Sequence, residues 1–293
     1  MNQGALRVLL TGGLGNQLFQ TAAALHFERL TNRETVLVRD ANSYSKYDHG
    51  SRVEKLVSNL RVEGRVEKAD LLLRIDRSIN RANQIYANLR KIQVHQELGF
   101  DPDFTIKDST KELRGYFQSY VYAEHFRQIY QDSIVSRLRN SSLNIDQNDS
   151  STGSLVSLHI RRGDYETLRT TFGVFDFEYY ENALEEFNAH KEIEEIWVFS
   201  DDVSKASTIL SKSRFLKFMN FQIASSFGEI DSLVAMSWCS RHIIANSTFS
   251  WWGAFLTDGQ SKVIAPRKWF RNGDDPYKLI PNNWIRIESK WEF

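Results

Sequence analysis

The chain has 293 residues, 41% of them hydrophobic and 13% aromatic, enough to bury a core in one large domain or two Rossmann-sized ones. Its 37 basic and 37 acidic residues cancel, which argues against a general nucleic-acid binder. No run of about 18 apolar residues is present to span a membrane, and the first residues enter a strand pattern without a signal peptide's apolar stretch; a soluble cytoplasmic protein is expected.

Leu6–Leu10 reads as a short buried strand, and Thr11–Gly15 as a glycine-rich turn. Leu18, Ala22 and Leu25 then follow helical spacing from Asn16 to Leu30, and Thr35–Val38 reads as a second strand. This is a β–α–β unit with its glycine loop at the first strand's carboxyl end. The run G-G-L-G-N-Q is not the dinucleotide fingerprint G-x-G-x-x-G, so hydride transfer is a weak reading. Gly13 and Gly15 let backbone amides approach a ligand, and Asn16 and Gln17 can add polar contacts.

Charged helical stretches are expected between Glu54 and Leu98, without firm bounds. Asp101-Pro102-Asp103 is the one D-x-D in the chain and reads as turn chemistry, so no metal site is expected. The aromatic stretch Leu113–Tyr122 suggests a strand and turn, with two readings open: rings facing a sugar, or core. The polar run Asn140–Ser154 reads as a linker. It divides the chain into an N-terminal α/β domain (1–150) and a C-terminal α/β domain (151–293).

Beyond the linker the pattern becomes regular. Strands are expected at Leu155–Ile160, Ile196–Phe199, Phe215–Met219, His242–Ala245 and Lys262–Ala265. Helices are expected at Phe177–His190, Val203–Leu210, Glu229–Trp238 and Thr248–Leu256. This alternation implies a parallel sheet covered on both faces, with His159–Asp164, Ser200–Asp202 and Asn246–Thr248 gathered along one edge. Cys239 cannot form an internal disulfide and reads as a buried bystander. The sequons at Asn140, Asn148 and Asn246 carry no glycosylation meaning in the cytoplasm. Of the adjacent Trp251 and Trp252, about 100° apart on a helix, at most one can face a ligand. Trp238, Trp269 and Trp284 are assigned to packing.

The first strand of that half breaks into His159, Arg161, Arg162 and Asp164. Arginine's fixed fork matches phosphate oxygens and keeps its charge near neutral pH, so a phosphorylated ligand is the natural reading. The plainer reading is an Arg–Asp pair that closes the loop. With two adjacent arginines, one can hold the loop and the other the ligand. Asn246, Ser247 and Thr248 open a helix and form an anion site at its positive end, or Ser247 serves as the N-cap.

H-I-R-R-G-D-Y resembles the H-x-R-R-x-D motif of fucosyltransferases that use GDP-fucose. Three further segments resemble the α-1,2-fucosyltransferases of glycosyltransferase family 11: G-G-L-G-N-Q-L-F-Q at Gly12–Gln20, F-S-D-D at Phe199–Asp202 and N-S-T-F-S-W-W-G-A at Asn246–Ala254. The resemblance implies a GT-B-like fold of two Rossmann-type domains facing a central cleft, the first mainly for the acceptor and the second for GDP-fucose. The implied reaction is inverting transfer of L-fucose to the 2-hydroxyl of a terminal β-galactose in a glycan. It needs no cofactor and no metal; the acceptor stays open between a galactose-ended O-antigen unit and a host-like glycan, either suiting an enzyme in peripheral contact with the inner membrane face.

The resemblance makes Arg161 the pyrophosphate contact, with Arg162 holding the loop through Asp164. Asp202, or second to it Asp201, would accept from guanine, or these carboxylates cap the next helix; His159 would touch guanine or ribose, or sit as a core residue. Asp164 is taken as the base, with Glu166, Asp176 and Glu178 as alternatives. Two other readings stand beside this one: a GDP-fucose transferase of different linkage, and a non-catalytic sugar-nucleotide or glycan-binding module.

Overall fold

The computed structural model describes residues 4–40, 53–57, 60–65, 81–139, 155–188, 193, 195–216, 220–224, 227–257 and 261–292; the expected linker lies outside them. The chain divides into two compact units, Met1–Ser133 with Pro276–Leu279, and Ile134–Asp275 with Ile280–Phe293. Among the described residues no helix is long and apolar enough to cross a membrane.

In the first unit, β1 (Leu6–Leu10) is followed by α1 (Leu14–Thr31) and β2 (Thr35–Asp40). Leu6, Val8 and Leu10 are buried while Arg7 is exposed, the period of two that a half-covered strand needs. Helix α1 buries Leu14, Leu18, Ala22 and Phe27 and stops at Asn32, whose left-handed backbone (φ 51°) turns the chain toward β2. β3 (Val62–Arg65), α2 (Arg81–Arg90), β4 (Ile92–Val94), β5 (Glu112–Arg114) and α3 (Tyr120–Arg139) follow, the residues of α3 from Ile134 on belonging to the second unit. The sheet is parallel throughout, in the order β3-β2-β1-β5-β4. Of the helical stretches expected between Glu54 and Leu98, the described residues hold α2 and a 3-10 turn at Val53–Lys55; the rest lie outside them. The aromatic stretch is largely core: Phe117 and Tyr122 are buried, and their rings pack edge to face.

The second unit carries β6 (Leu155–Ile160), α4 (Phe177–Asn188), β7 (Glu195–Ser200), α5 (Val203–Leu210), β8 (Asn220–Ile223) and α6 (Glu229–Trp238). β9 (Arg241–Ile243), α7 (Thr248–Phe255), β10 (Lys262–Pro266) and β11 (Ile285–Ile287) complete it. Its sheet is also parallel, in the order β11-β10-β9-β6-β7-β8. Every position of β6 is buried, because both faces are covered. Val156, Leu158 and Ile160 pack with Tyr179, Ala183 and Leu184 of α4 and Ile209 of α5. Leu155 packs on the opposite face, with Ala235 and Met236 of α6.

One expectation is corrected, and one strand was not expected. Of the strand expected at Phe215–Met219, Phe215 and Leu216 instead close a turn, their amides donating to Ser213 Oγ at 3.2 and 3.3 Å, while residues 217–219 lie outside the described residues; the strand found is β8. β11, whose residues are largely exposed at the sheet edge, has no buried apolar run to mark it.

From β6 the strand order runs outward through β7 to β8 on one side and through β9 and β10 to β11 on the other. The loops after β6 and β9 therefore flank a topological switch point, where parallel sheets open a crevice for ligands. The first unit repeats the device between β1 and β5.

Candidate active site

The loop after β6 is held by charge. The Arg161 guanidinium donates to Asp164 Oδ1 at 2.5 Å and pairs with Asp201 Oδ2 at 2.8 Å. It also lies over the Tyr165 ring, 5.1 Å from its centroid. Burial opposes the Arg161 charge, but Asp201, Tyr165 and Asp164 outweigh it and raise the pKa. Its Nε is buried without a partner among the described residues. The side chain retains 21% exposure, so a permanently charged donor fork stands fixed at the carboxyl end of β6.

Arg162 has the opposite character. It is 2% exposed, donates from Nη1 to Glu292 at 2.7 Å and from Nη2 to the Phe175 carbonyl at 3.0 Å. Its backbone N–H donates to Asp201 Oδ1 at 2.8 Å. Arg162 holds the loop, but its partners differ from expectation. Asp164 serves Arg161, and Arg162 is held by Glu292 from the end of the chain. Glu292 also takes Arg169 at 2.6 Å, and Arg169 and Lys205 both pair with Glu166. Burial would raise the Glu166 pKa, yet hydrogen bonds from Lys205 and Arg169 pull it below the usual carboxylate range. Gly163 makes the turn at φ 25°, where a Cβ would stand on Asp201 Oδ2. A side chain at that position would push away the carboxylate that holds both arginines.

The loop after β9 joins this cluster. Tyr165 donates its hydroxyl to the Asn246 carbonyl at 3.1 Å and stacks on Phe172. Asn246, 2% exposed, donates to the carbonyls of Phe172 at 2.8 Å and Trp269 at 3.1 Å, so its amide holds loops together. Ser247 stands at the N-cap of α7 in extended conformation, and its hydroxyl makes no capping bond. Thr248 opens the helix half-buried. The first amides of α7, with the positive end of its dipole, thus follow directly on the residue that Tyr165 ties to Arg161.

The remaining expected residues fall as follows. His159 is 5% exposed beside Phe249, with Nδ1 lacking a partner among the described residues; burial first, then Arg161, push its pKa down to about 3. The ring is therefore neutral. Asp202 caps α5, accepting from the Lys205 amide at 3.0 Å, and Asp201 rather than Asp202 faces the arginines. Asp176 accepts from the Glu178 amide at 2.8 Å at the start of α4, and Glu178 is an exposed side chain 3.7 Å from Lys290. Trp251 and Trp252 are both fully buried, so neither faces a ligand. Trp269 and Trp284 are buried as well. Cys239 is buried, and burial raises its thiol far above the ordinary range.

In the first unit, the Asn16 and Gln17 amides both donate to the Gly13 carbonyl. Gln17 is fully buried; its amide donates to Gly12 O at 2.9 Å and its carbonyl accepts from Arg39 at 3.2 Å and Val53 N–H at 3.3 Å. It thus ties the glycine loop to β2 and the 3-10 turn. Gly13 and Asn16 keep partial exposure, while Gly15 is buried inside α1. Asp101 accepts from the Asp103 amide at 2.9 Å in a turn, and among the described residues no group of three or more His, Cys, Asp or Glu is placed to hold a metal.

Sequence reasoning missed Glu292, Arg169, Lys205 and Tyr165. Tyr165 lay inside the motif and carried a usable signal. The others meet the loop only through folding and carried none.

A family model of glycosyl transferase family 11 matches residues 2–288. The chain is 32% identical to the O-antigen biosynthesis glycosyltransferase WbnK of Escherichia coli, over 95% of this chain and 99% of that protein. It is also 32% identical to an alpha-1,2-colitosyltransferase of Escherichia coli, over 96% and 98%. A galactoside 2-alpha-L-fucosyltransferase of Bos taurus is 28% identical over 60% of this chain and 51% of its own.

Proposed function

The chain belongs to glycosyl transferase family 11, and on that footing we propose that it transfers L-fucose from GDP-fucose to the 2-hydroxyl of a terminal β-galactose, with inversion and without a metal. The acceptor hydroxyl oxygen forms the new bond to the fucose anomeric carbon. The bond to the diphosphate breaks, its electron pair leaves with GDP, and the hydroxyl proton passes to a base. The observation that carries the reading is the Arg161 fork at the end of β6, joined through Tyr165 and Asn246 to the uncapped start of α7. A leaving diphosphate gains negative charge, and preoriented cationic and amide donors stabilise it.

Within this scheme Asp164 and Asp201 orient Arg161. Because Asp164 Oδ1 is engaged by the Arg161 guanidinium at 2.5 Å, we assign Asp164 as an orienting group rather than the base. His159, neutral and with an unsatisfied ring nitrogen, is assigned to the nucleoside, as is Asp202, which follows β7, the strand paired with β6. The acceptor we propose is a galactose-ended O-antigen unit met at the inner membrane face; the WbnK relative's name supports its O-antigen class.

One second reading has its own support: the relative named a colitosyltransferase is as similar as WbnK. The two readings share linkage and differ in donor sugar. The deciding assay offers GDP-fucose, GDP-colitose and GDP-mannose to lactose and to Galβ1-3GalNAc with EDTA present. Fucose transfer to a product cleaved by an α-1,2-specific fucosidase is the expected result. Preference for GDP-colitose would move the donor assignment. Activity that EDTA abolishes and manganese restores would overturn the metal-free mechanism.

A further inference from the structure

At the switch point of the first unit, the loops leaving β1 and β5 are tied twice. Beneath, buried Gln20 accepts from the Thr11 amide at 2.8 Å and donates to the Gly115 carbonyl at 3.2 Å. Above, Gln118 donates from Nε2 to Asn16 Oδ1 at 3.0 Å, across 102 residues of sequence. The segment that presents Gln118 is strained: buried Phe117 has φ 52°, a left-handed backbone that a bulky residue rarely adopts. Such strain gathers at ligand sites, where the surrounding structure holds it in place.

The Gln118 bond decides which way the Asn16 amide faces. With Oδ1 engaged, the NH2 lies over Gly12, where φ is 74° and a Cβ would stand 2.7 Å from it. Gln118, 7% exposed, has its own Oε1 without a partner among the described residues. Among the described residues the pair thus leaves Gln118 Oε1 an unpaired acceptor and turns the Asn16 NH2 donor away from Gln118. A hydroxyl group, which both accepts and donates, satisfies both; a phosphate oxygen without a proton satisfies only the donor.

We propose that Gln118 is a positioning residue that orients Asn16 toward a sugar hydroxyl of the substrates. This rests on the transfer reading above. Because a buried acceptor left unpaired is costly, the site is selective for a ligand that can donate in return.

The test compares Asn16→Ala, Gln118→Met and their combination in steady-state transfer, varying donor and acceptor separately, with melting temperature and GDP affinity measured alongside. Each single change is expected to lower kcat/KM at least about tenfold, with the double change within about twofold of the worse single, because both act through one contact. GDP affinity is expected to stay within about twofold, and the substrate whose KM rises, donor or acceptor, identifies which sugar is touched. Multiplying losses, or full activity in Gln118→Met, would overturn the inference. GDP affinity falling in step with transfer would place a phosphate there instead and overturn it as well. Should Gln118→Met not fold, Asn16→Asp decides: it still accepts from Gln118 but presents oxygen where the NH2 stood, so activity must fall at an unchanged melting temperature. Retained activity would refute the assigned direction. A wild-type chain that transfers from no GDP-sugar would instead be a failure of the proposed function.

Discussion

Arg162 and Glu292 meet at 2.7 Å although 130 residues separate them in the chain. Glu292 is fixed there by its amide, which donates to the Val174 carbonyl at 2.8 Å, and by its neighbour Trp291, stacked on Phe175. The last residues of the chain are thus part of the arginine loop's support. Arg162 is almost fully buried, and Glu292 is 38% exposed.

Glu292→Ala is expected to cost about 1–3 kcal/mol, below a fully buried pair because solvent screens the exposed carboxylate. That corresponds to a melting temperature lower by about 3–10 °C in a chain of this size. An unchanged melting curve would show that Arg162 does not depend on this partner.

Gly163→Ala is a sharper probe of the site than of the fold. Its Cβ would displace Asp201, which holds Arg161 and the Arg162 amide. Transfer is expected to fall by about a hundredfold, as for loss of a transition-state donor, while circular dichroism stays native. Activity within about threefold of wild type would mean that Arg161 does not need Asp201.

Acid should destabilise the chain through buried neutral histidines. Burial pushes His159 and His242 down to about 3 from the ordinary 6.5, and His26 and His95 are lowered in the same direction, also by burial first. Between those values the unfolded chain binds protons that the folded chain does not. The stability that these rings confer is full above about pH 6.5 and is lost as pH falls toward 3, at up to about 1.4 kcal/mol per pH unit for each ring. Glu166, lowered in the fold, acts in the same sense at lower pH. The melting temperature should therefore drop steadily below about pH 6. A flat profile from pH 7 to 5 would contradict the burial assigned to His159 and His242.

Much of this was legible in the sequence, for a physical reason. β1, α1, β6 and α5 to α7 are strongly apolar with clean turns between them, so period and punctuation agree. Phe215 and Leu216 misled because an apolar pair also suits a buried turn, here closed by Ser213. Pairings were harder than elements. Asp164 is the carboxylate nearest Arg162 in sequence within the motif, yet the Arg162 side chain reaches Glu292. Asn16 and Gln118 gave no sign of each other. Trp251 and Trp252 looked divided between ligand and core, but α7 is covered all round and both are interior.

The central claim, that Arg161 holds the diphosphate of the donor, is tested most directly by calorimetric titration of GDP into the wild-type chain and into Arg161→Ala. The expected result is GDP binding by the wild type and a loss of about 2–4 kcal/mol in the variant, at an unchanged melting temperature. A variant that binds GDP within about tenfold of wild type, a difference of about 1.4 kcal/mol, would contradict the claim and move the diphosphate elsewhere.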